Sequence, residues 1–275
     1  MNTPAVALIT GAASGIGRHW AAVLARQPSR YRLVLTDVNT AGLREAFAET
    51  EALLLRALDI RAAGQWRAVL DETQARFGRL DYLFNIAGGG RPAFLIEQPL
   101  DDLDLVLDLN LKGPLLGIKL AGEIMARQGS GHILSVGSLA GLAPTPGNAL
   151  YSAAKAGLRQ ASLAAALELR RHGVAVTVIA PDLVDTPLMR ANMSRGEAAA
   201  LAYSGSGPLS VRDVERAFWR ALRDRPLEIT LPRWRGWLAR LTNLNPALML
   251  RLYEPLRQRG LRRLEAERRR LDPKP

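Results

Sequence analysis

The stretch Ala5-Val6-Ala7-Leu8-Ile9-Thr10-Gly11-Ala12-Ala13-Ser14-Gly15-Ile16-Gly17 decides how the rest of the chain reads. It opens with a short apolar run closed by threonine and glycine, the pattern of a strand covered on both faces. Glycines at 11, 15 and 17 allow a sharp turn and let backbone N–H groups approach a pyrophosphate. A helix opening at Ile16 would present its N-terminal partial charge to the same group. Thr10, Gly11, Ser14, Gly15, Ile16 and Gly17 are therefore candidate dinucleotide contacts. A glycine pattern alone also suits an ordinary turn; the strand before it and the helix after it favour the nucleotide.

Outward from this stretch, apolar runs recur at Arg32–Thr36, Ala52–Leu58, Asp81–Ile86, His132–Val136 and Val174–Ile179, with a weaker one at Glu228–Leu231. Helix-length segments such as Ile16–Arg26, Ala62–Phe77 and Ser152–Arg171 lie between them. That alternation predicts right-handed crossover units and a parallel sheet. The expected fold is α/β: a Rossmann-type doubly wound parallel sheet in a single domain, 1–231, followed by a helical basic extension, 232–275. A length of 275 residues and a hydrophobic share of 48% suit such a domain and exclude a disordered chain. With no cysteine, a disulfide scaffold, a thiolate metal site and a cysteine nucleophile are excluded. Three scattered histidines, His19, His132 and His172, predict no metal site. The opening residues lack the basic start of a signal sequence, and the uncharged stretch 133–154 is broken by glycine and proline. A cytoplasmic protein is expected.

Asp37 follows the second predicted strand, 20 residues beyond Gly17. A carboxylate there can accept hydrogen bonds from the adenosine ribose and would repel a 2′-phosphate, so NAD is expected over NADP. Tyr151 and Lys155 stand one helical turn apart on one face. The ammonium would lower the pKa of the phenol and make it a general acid/base. Ser138, just past the fifth strand, would sit at the carboxyl edge of the sheet, where ligands bind in such folds.

In combination these residues resemble the short-chain dehydrogenase/reductase family over about residues 5–231. The resemblance implies a catalytic set of Asn110, Ser138, Tyr151 and Lys155: Asn110 holding a water, Ser138 positioning the substrate oxygen, Tyr151 transferring the proton, and Lys155 also binding the nicotinamide ribose. It implies further cofactor contacts at Asp59 and Ile60 (adenine), at Asn85, Ala87 and Gly88, and at Pro181, Val184 and Thr186 (nicotinamide). It also implies a homodimer or tetramer. Three departures stand out: Ile86 in place of a second asparagine, Asp182 in place of a glycine, and Pro114 four residues after Asn110, where it would bend the helix. Asp182 would favour the oxidised nicotinamide if it faces the ring, and do nothing if it points to solvent.

Residues 188–209 fall where the family carries a substrate lid. Leu188, Met189, Met193, Leu201 and Tyr203 would give it an apolar lining, so a hydrophobic alcohol or ketone of steroid, retinoid or long-chain type is expected. The formal charge of +11 is uneven: residues 211–275 carry 17 basic and 8 acidic side chains, and the body is nearly neutral. In the extension, Trp234, Trp237, Leu238, Leu241 and Leu244 recur at helical spacing among arginines. After Asn245-Pro246 come Leu248, Met249, Leu252, Tyr253 and Leu256. Such stripes fit an interfacial helix on an anionic membrane surface, and equally fit packing on the protein's own body or a neighbouring subunit. Two other readings compete with an NAD-dependent alcohol dehydrogenase. One is an NADPH-dependent carbonyl reductase. The other is a non-catalytic dinucleotide sensor with a nucleic-acid-binding tail, which the intact catalytic set disfavours; no nucleic-acid partner is expected.

Overall fold

The computed structural model describes residues 3–271. Seven strands form one sheet: β1 (Ala5–Thr10), β2 (Tyr31–Asp37), β3 (Leu53–Ala57), β4 (Tyr82–Asn85), β5 (Gly131–Val136), β6 (Val174–Pro181) and β7 (Glu228–Leu231). Their order is β3-β2-β1-β4-β5-β6-β7, with every pairing parallel. The chain winds outward from β1 to one edge and then from β4 to the other, a Rossmann-type doubly wound sheet in a single domain.

Alternation along each strand builds a core on either face. Ala7, Ile9, Leu33, Leu35, Phe84 and Ile179 point to one side, against α1 (Gly15–Ala25) and α8 (Val211–Asp224). Val6, Leu8, Val34, Leu83, Ile133 and Val176 point to the other, against α3 (Ala63–Phe77), α5 (Gly113–Gln128) and α6 (Ala149–Leu169). The first core is centred on Trp20, whose ring lies 5.0 Å from that of Phe218 and 5.3 Å from that of Phe84. Ser210 caps α8: its hydroxyl accepts from the Asp213 N–H, and the Asp213 carboxylate accepts from the Ser210 N–H.

Two short helices escape the sequence reading, α2 (Thr40–Ala46) and α4 (Asp101–Leu107), each too short for its periodicity to show. Between α4 and α5 a π-helical turn spans Asp108–Lys112, so Pro114 falls in the first turn of α5, where a missing N–H costs nothing. The remaining helices are α7 (Pro187–Asn192), α9 (Arg233–Leu244) and α10 (Ala247–Leu271), the last two forming the C-terminal extension. Among the described residues no helix is long and apolar enough to cross a membrane.

Candidate active site

Because all strands run in parallel, their C-terminal ends share one edge of the sheet. Thr10, Asp37, Asn85 and Pro181 end β1, β2, β4 and β6 there, and Ser138 follows β5 by two residues. The crossover direction reverses between β1 and β4, which opens a crevice above their ends.

The glycine loop is shaped for a ligand that approaches the backbone. Gly11 and Gly15 have φ of 71° and 52°. A Cβ on Gly17 would stand 2.0 Å from the Gly11 carbonyl oxygen, and one on Gly11 would stand 2.9 Å from the Ala87 Cα. Across the crevice, the Thr186 methyl lies 3.3 Å from where a Gly15 Cβ would be. One Asp37 oxygen accepts from the Ala13 N–H and the other from the Asn39 N–H, tying the carboxylate to the loop. These features fit a nicotinamide dinucleotide. Thr10 serves a different purpose: it is buried, and its hydroxyl accepts from the N–H groups of Ile86 and Ala87, fastening the segment after β4. That segment uses backbone at Ile86, so the missing second asparagine leaves its anchoring intact. Asn85 also turns inward, donating to the Pro114 carbonyl. Asp59 is clasped by Arg61, which holds its carboxyl below the usual range, and Ile60 is buried against Gly113.

Tyr151 and Lys155 lie in the first two turns of α6. Lys155 is only 3% exposed, and its Nζ donates to the Val136 carbonyl at 2.9 Å and stands 5.6 Å from the centre of the Tyr151 ring. Burial lowers the lysine to a pKa of about 8. It also raises the Tyr151 phenol, with the Ser138 hydroxyl pulling the other way. The sequence predicts a phenol lowered by lysine; burial dominates instead, because both groups lose their water together. Asn110, in the π-helical turn, is fully buried; its amide donates to the Gly89 and Val106 carbonyls and accepts from the Gly89 N–H. A Cβ on Gly88 would meet Asn110 Oδ1 at 2.9 Å and Lys155 Nζ at 3.4 Å, so this glycine lets the two side chains converge.

Beside Ser138 and Tyr151 opens a cavity of about 270 Å3. Leu188, Met189, Leu201 and Tyr203 of the segment 188–209 contribute to its wall. Met193 does not line it, but packs with Met189, Tyr203 and Leu264. From Met193 to Ser204 this segment runs as a series of 3-10 turns, kinked at Gly196.

A family model for the short chain dehydrogenases matches residues 5–197. The chain belongs to that family. It is 36% identical over 190 residues to a 3-oxoacyl-[acyl-carrier-protein] reductase of Synechocystis sp., covering 68% of this chain and 76% of the relative. It is 35% identical over 223 residues to momilactone A synthase of Oryza sativa subsp. japonica, covering 77% and 81%. Its fold superposes with a TM-score of 0.76 on a short chain dehydrogenase/reductase from Burkholderia phymatum in complex with NAD, at 28% identity over 90% of this chain and 95% of that one.

Within this short chain dehydrogenase one departure, Asp182, meets the C-terminal helices. Asp182 neither faces open solvent nor stands as a bare charge: Arg235 from α9 pairs with it at 2.8 Å. Burial raises its carboxyl and Arg235 lowers it, leaving it above the usual range. Met249, Leu252 and Leu256 of α10, with Leu238 of α9, complete the cavity wall. Gly260 presses α10 onto the lid so closely that a Cβ would stand 1.9 Å from the Ala200 carbonyl oxygen. Asn192 donates to the Gly90 carbonyl, tying the lid to the segment facing Tyr151. Arg235, Asn192 and Gly260 carry no motif in the sequence, because each acts through a partner far away along the chain.

Proposed function

We propose that this enzyme catalyses reversible hydride transfer between NAD and a hydrophobic alcohol or ketone, with Tyr151 as general acid/base. The observation that carries the reading is the meeting of the Ser138 and Tyr151 side chains with an apolar cavity, backed by a buried lysine. The bound dinucleotide supplies the hydride acceptor or donor. In this reading the glycine loop from Thr10 to Gly17 and the first turn of α1 hold its pyrophosphate, and Asp37 takes the adenosine ribose. Asp59, Ile60 and the segment Asn85–Gly88 border its adenine side, while Pro181, Val184 and Thr186 border the nicotinamide. Ser138 hydrogen-bonds the substrate oxygen, and Tyr151 removes or returns its proton. The Lys155 ammonium favours the phenolate once the proton has left and also holds the nicotinamide ribose. Asn110 fixes the Gly88–Gly90 backbone and offers its remaining lone pair to a relay water.

The acidic group at Asp37 supports NAD, since a 2′-phosphate would meet a carboxylate with no basic residue directly after it. Catalytic efficiency measured with both cofactors tests this; a clear NADP preference overturns it. The wall of leucines and methionines supports a lipophilic substrate of steroid, retinoid or long-chain size. A homodimer or tetramer is the assembly proposed, checked by sedimentation. Replacing the phenol in Tyr151→Phe is expected to lower kcat by about 10²–10⁴-fold while NADH binding, followed by fluorescence, stays intact. Undiminished turnover would refute the mechanism.

A further inference from the structure

Helix α9 is turned inside out relative to an ordinary amphipathic helix. Its small residues Gly236, Ala239 and Thr242 are the buried ones; a Cβ on Gly236 would stand 2.2 Å from Thr230 Oγ1 of β7. Its bulky residues face away from the body: Trp237 is 67% and Leu244 83% exposed, and Trp234 and Leu241 each 54%. Leu250, at the start of α10, continues the patch at 84% exposed. About three consecutive turns with tryptophan and leucine outward form a contiguous apolar stripe of the kind that marks an interaction site.

Charge selects among the surfaces that would cover it. Arg233 precedes Trp237 by one turn, and Arg251 follows Leu250; both are exposed, and neither has an acidic partner among the described residues. Two other arginines of α9 are neutralised toward the body, Arg235 by Asp182 and Arg240 by Glu228, and lie beside Trp234 and Trp237. A second copy meeting the stripe about a two-fold axis would bring like charges together. An anionic lipid surface answers both features: the headgroup region receives tryptophan and leucine, and acidic lipids attract the unpaired arginines. Leu238 belongs to the stripe and to the cavity wall at once, so the apolar surface is continuous with the substrate pocket.

We infer that α9 seats this enzyme on an anionic membrane surface, with the outer wall of its pocket against the lipid, from which a lipophilic substrate enters. The entry route rests on the function proposed above; the docking itself does not. The test uses the full chain and sedimentation with vesicles of equal parts phosphatidylcholine and phosphatidylglycerol, against phosphatidylcholine alone. Binding at low salt, at least about tenfold weaker without the acidic lipid, and a blue shift of tryptophan emission are expected. A variant carrying Trp234→Ser, Trp237→Ser, Leu241→Ser and Leu244→Ser leaves the cavity wall untouched. It should lose vesicle binding while keeping its circular dichroism and its turnover of a short, water-soluble alcohol. Arg233→Glu with Arg251→Glu, which spares the apolar stripe, should weaken binding to the acidic vesicles alone.

The idea fails if the full chain ignores the acidic vesicles, or if the serine variant binds them undiminished. It fails equally if the serines only halve the mass of the free protein, which assigns the stripe to a second copy. Salt-sensitive binding to a DNA duplex without vesicle binding also overturns it. Because vesicle binding requires no turnover, its failure leaves the hydride-transfer reading standing, and an inactive protein that binds vesicles overturns only that reading.

Discussion

Two regions of this molecule bury charge, and they treat it differently. At the C-terminal side each buried acid has a partner: Asp182 pairs with Arg235, and Glu228 with both Arg159 and Arg240. Burial alone would push the Glu228 carboxyl up, yet its two arginines hold it below the usual range. At the proposed catalytic side Lys155 is also buried but has, among the described residues, only a backbone carbonyl for a partner. A structural charge is neutralised where the fold can manage it; a charge left without a counter-ion, at a stability cost, is what the proposed chemistry would require.

The sharpest way to break this contrast is Lys155→Met. Turnover should fall by about 10²–10⁴-fold, as for loss of an acid/base group. Stability should rise, because the folded protein no longer has to bury an ammonium. The sign follows from the depressed pKa: below about pH 8 both folded and unfolded chains carry the proton and the full cost is present. As the pH rises from about 8 toward 10.5, only the unfolded chain still holds the proton, so the native enzyme gains on the variant. The expected advantage of the variant at neutral pH is about 1–3 kcal/mol, discounted for the lost hydrogen bond. Urea titrations of both proteins across that range read it directly. A variant less stable than the native chain at every pH would mean that Lys155 is structural.

The paired side predicts the opposite sign. Arg235→Ala leaves the Asp182 carboxyl buried without its partner, at an expected cost of about 3 kcal/mol. Adding Asp182→Asn removes the stranded charge and should recover most of that loss. If the single variant melts like the native protein, the pair is ornamental, and α9 is held by packing against β7 alone.

What could be read from sequence divides along the same line. The strand–turn–helix at 5–17, the acid Asp37 closing the second strand, and the Tyr151/Lys155 spacing are local patterns, because a turn, a strand end and one helical turn each fit within a short window. The Rossmann-type fold followed from them together with the apolar runs. The C-terminal side is made of long-range meetings: Asp182 with Arg235, Gly260 with Ala200, Met193 with Leu264. No spacing rule connects such residues. Hydrophobic periodicity marked stripes on α9 and α10, yet could not say that the second lines the cavity while all of the first but Leu238 turns away from it. That choice is made by Gly236 and Ala239, whose small size lets the opposite face of α9 approach β7.

The smallest effect tests whether α10 is a cover for the pocket or merely an appendage beside it. In a helix with free space around it, Gly→Ala stabilises by about 1 kcal/mol through backbone entropy. At Gly260 the added methyl group meets the backbone of Ala200, which cannot move aside as a flexible side chain would. Gly260→Ala should therefore destabilise, by about 1–2 kcal/mol, and lift α10 from the lid. Met249, Leu252 and Leu256 would move with it, so KM for a bulky hydrophobic alcohol should rise about threefold to tenfold. Turnover of a small alcohol, which makes no use of that wall, should hardly change. A stabilised variant with an unaltered KM would show that α10 stands off the lid, and that the pocket is closed without it.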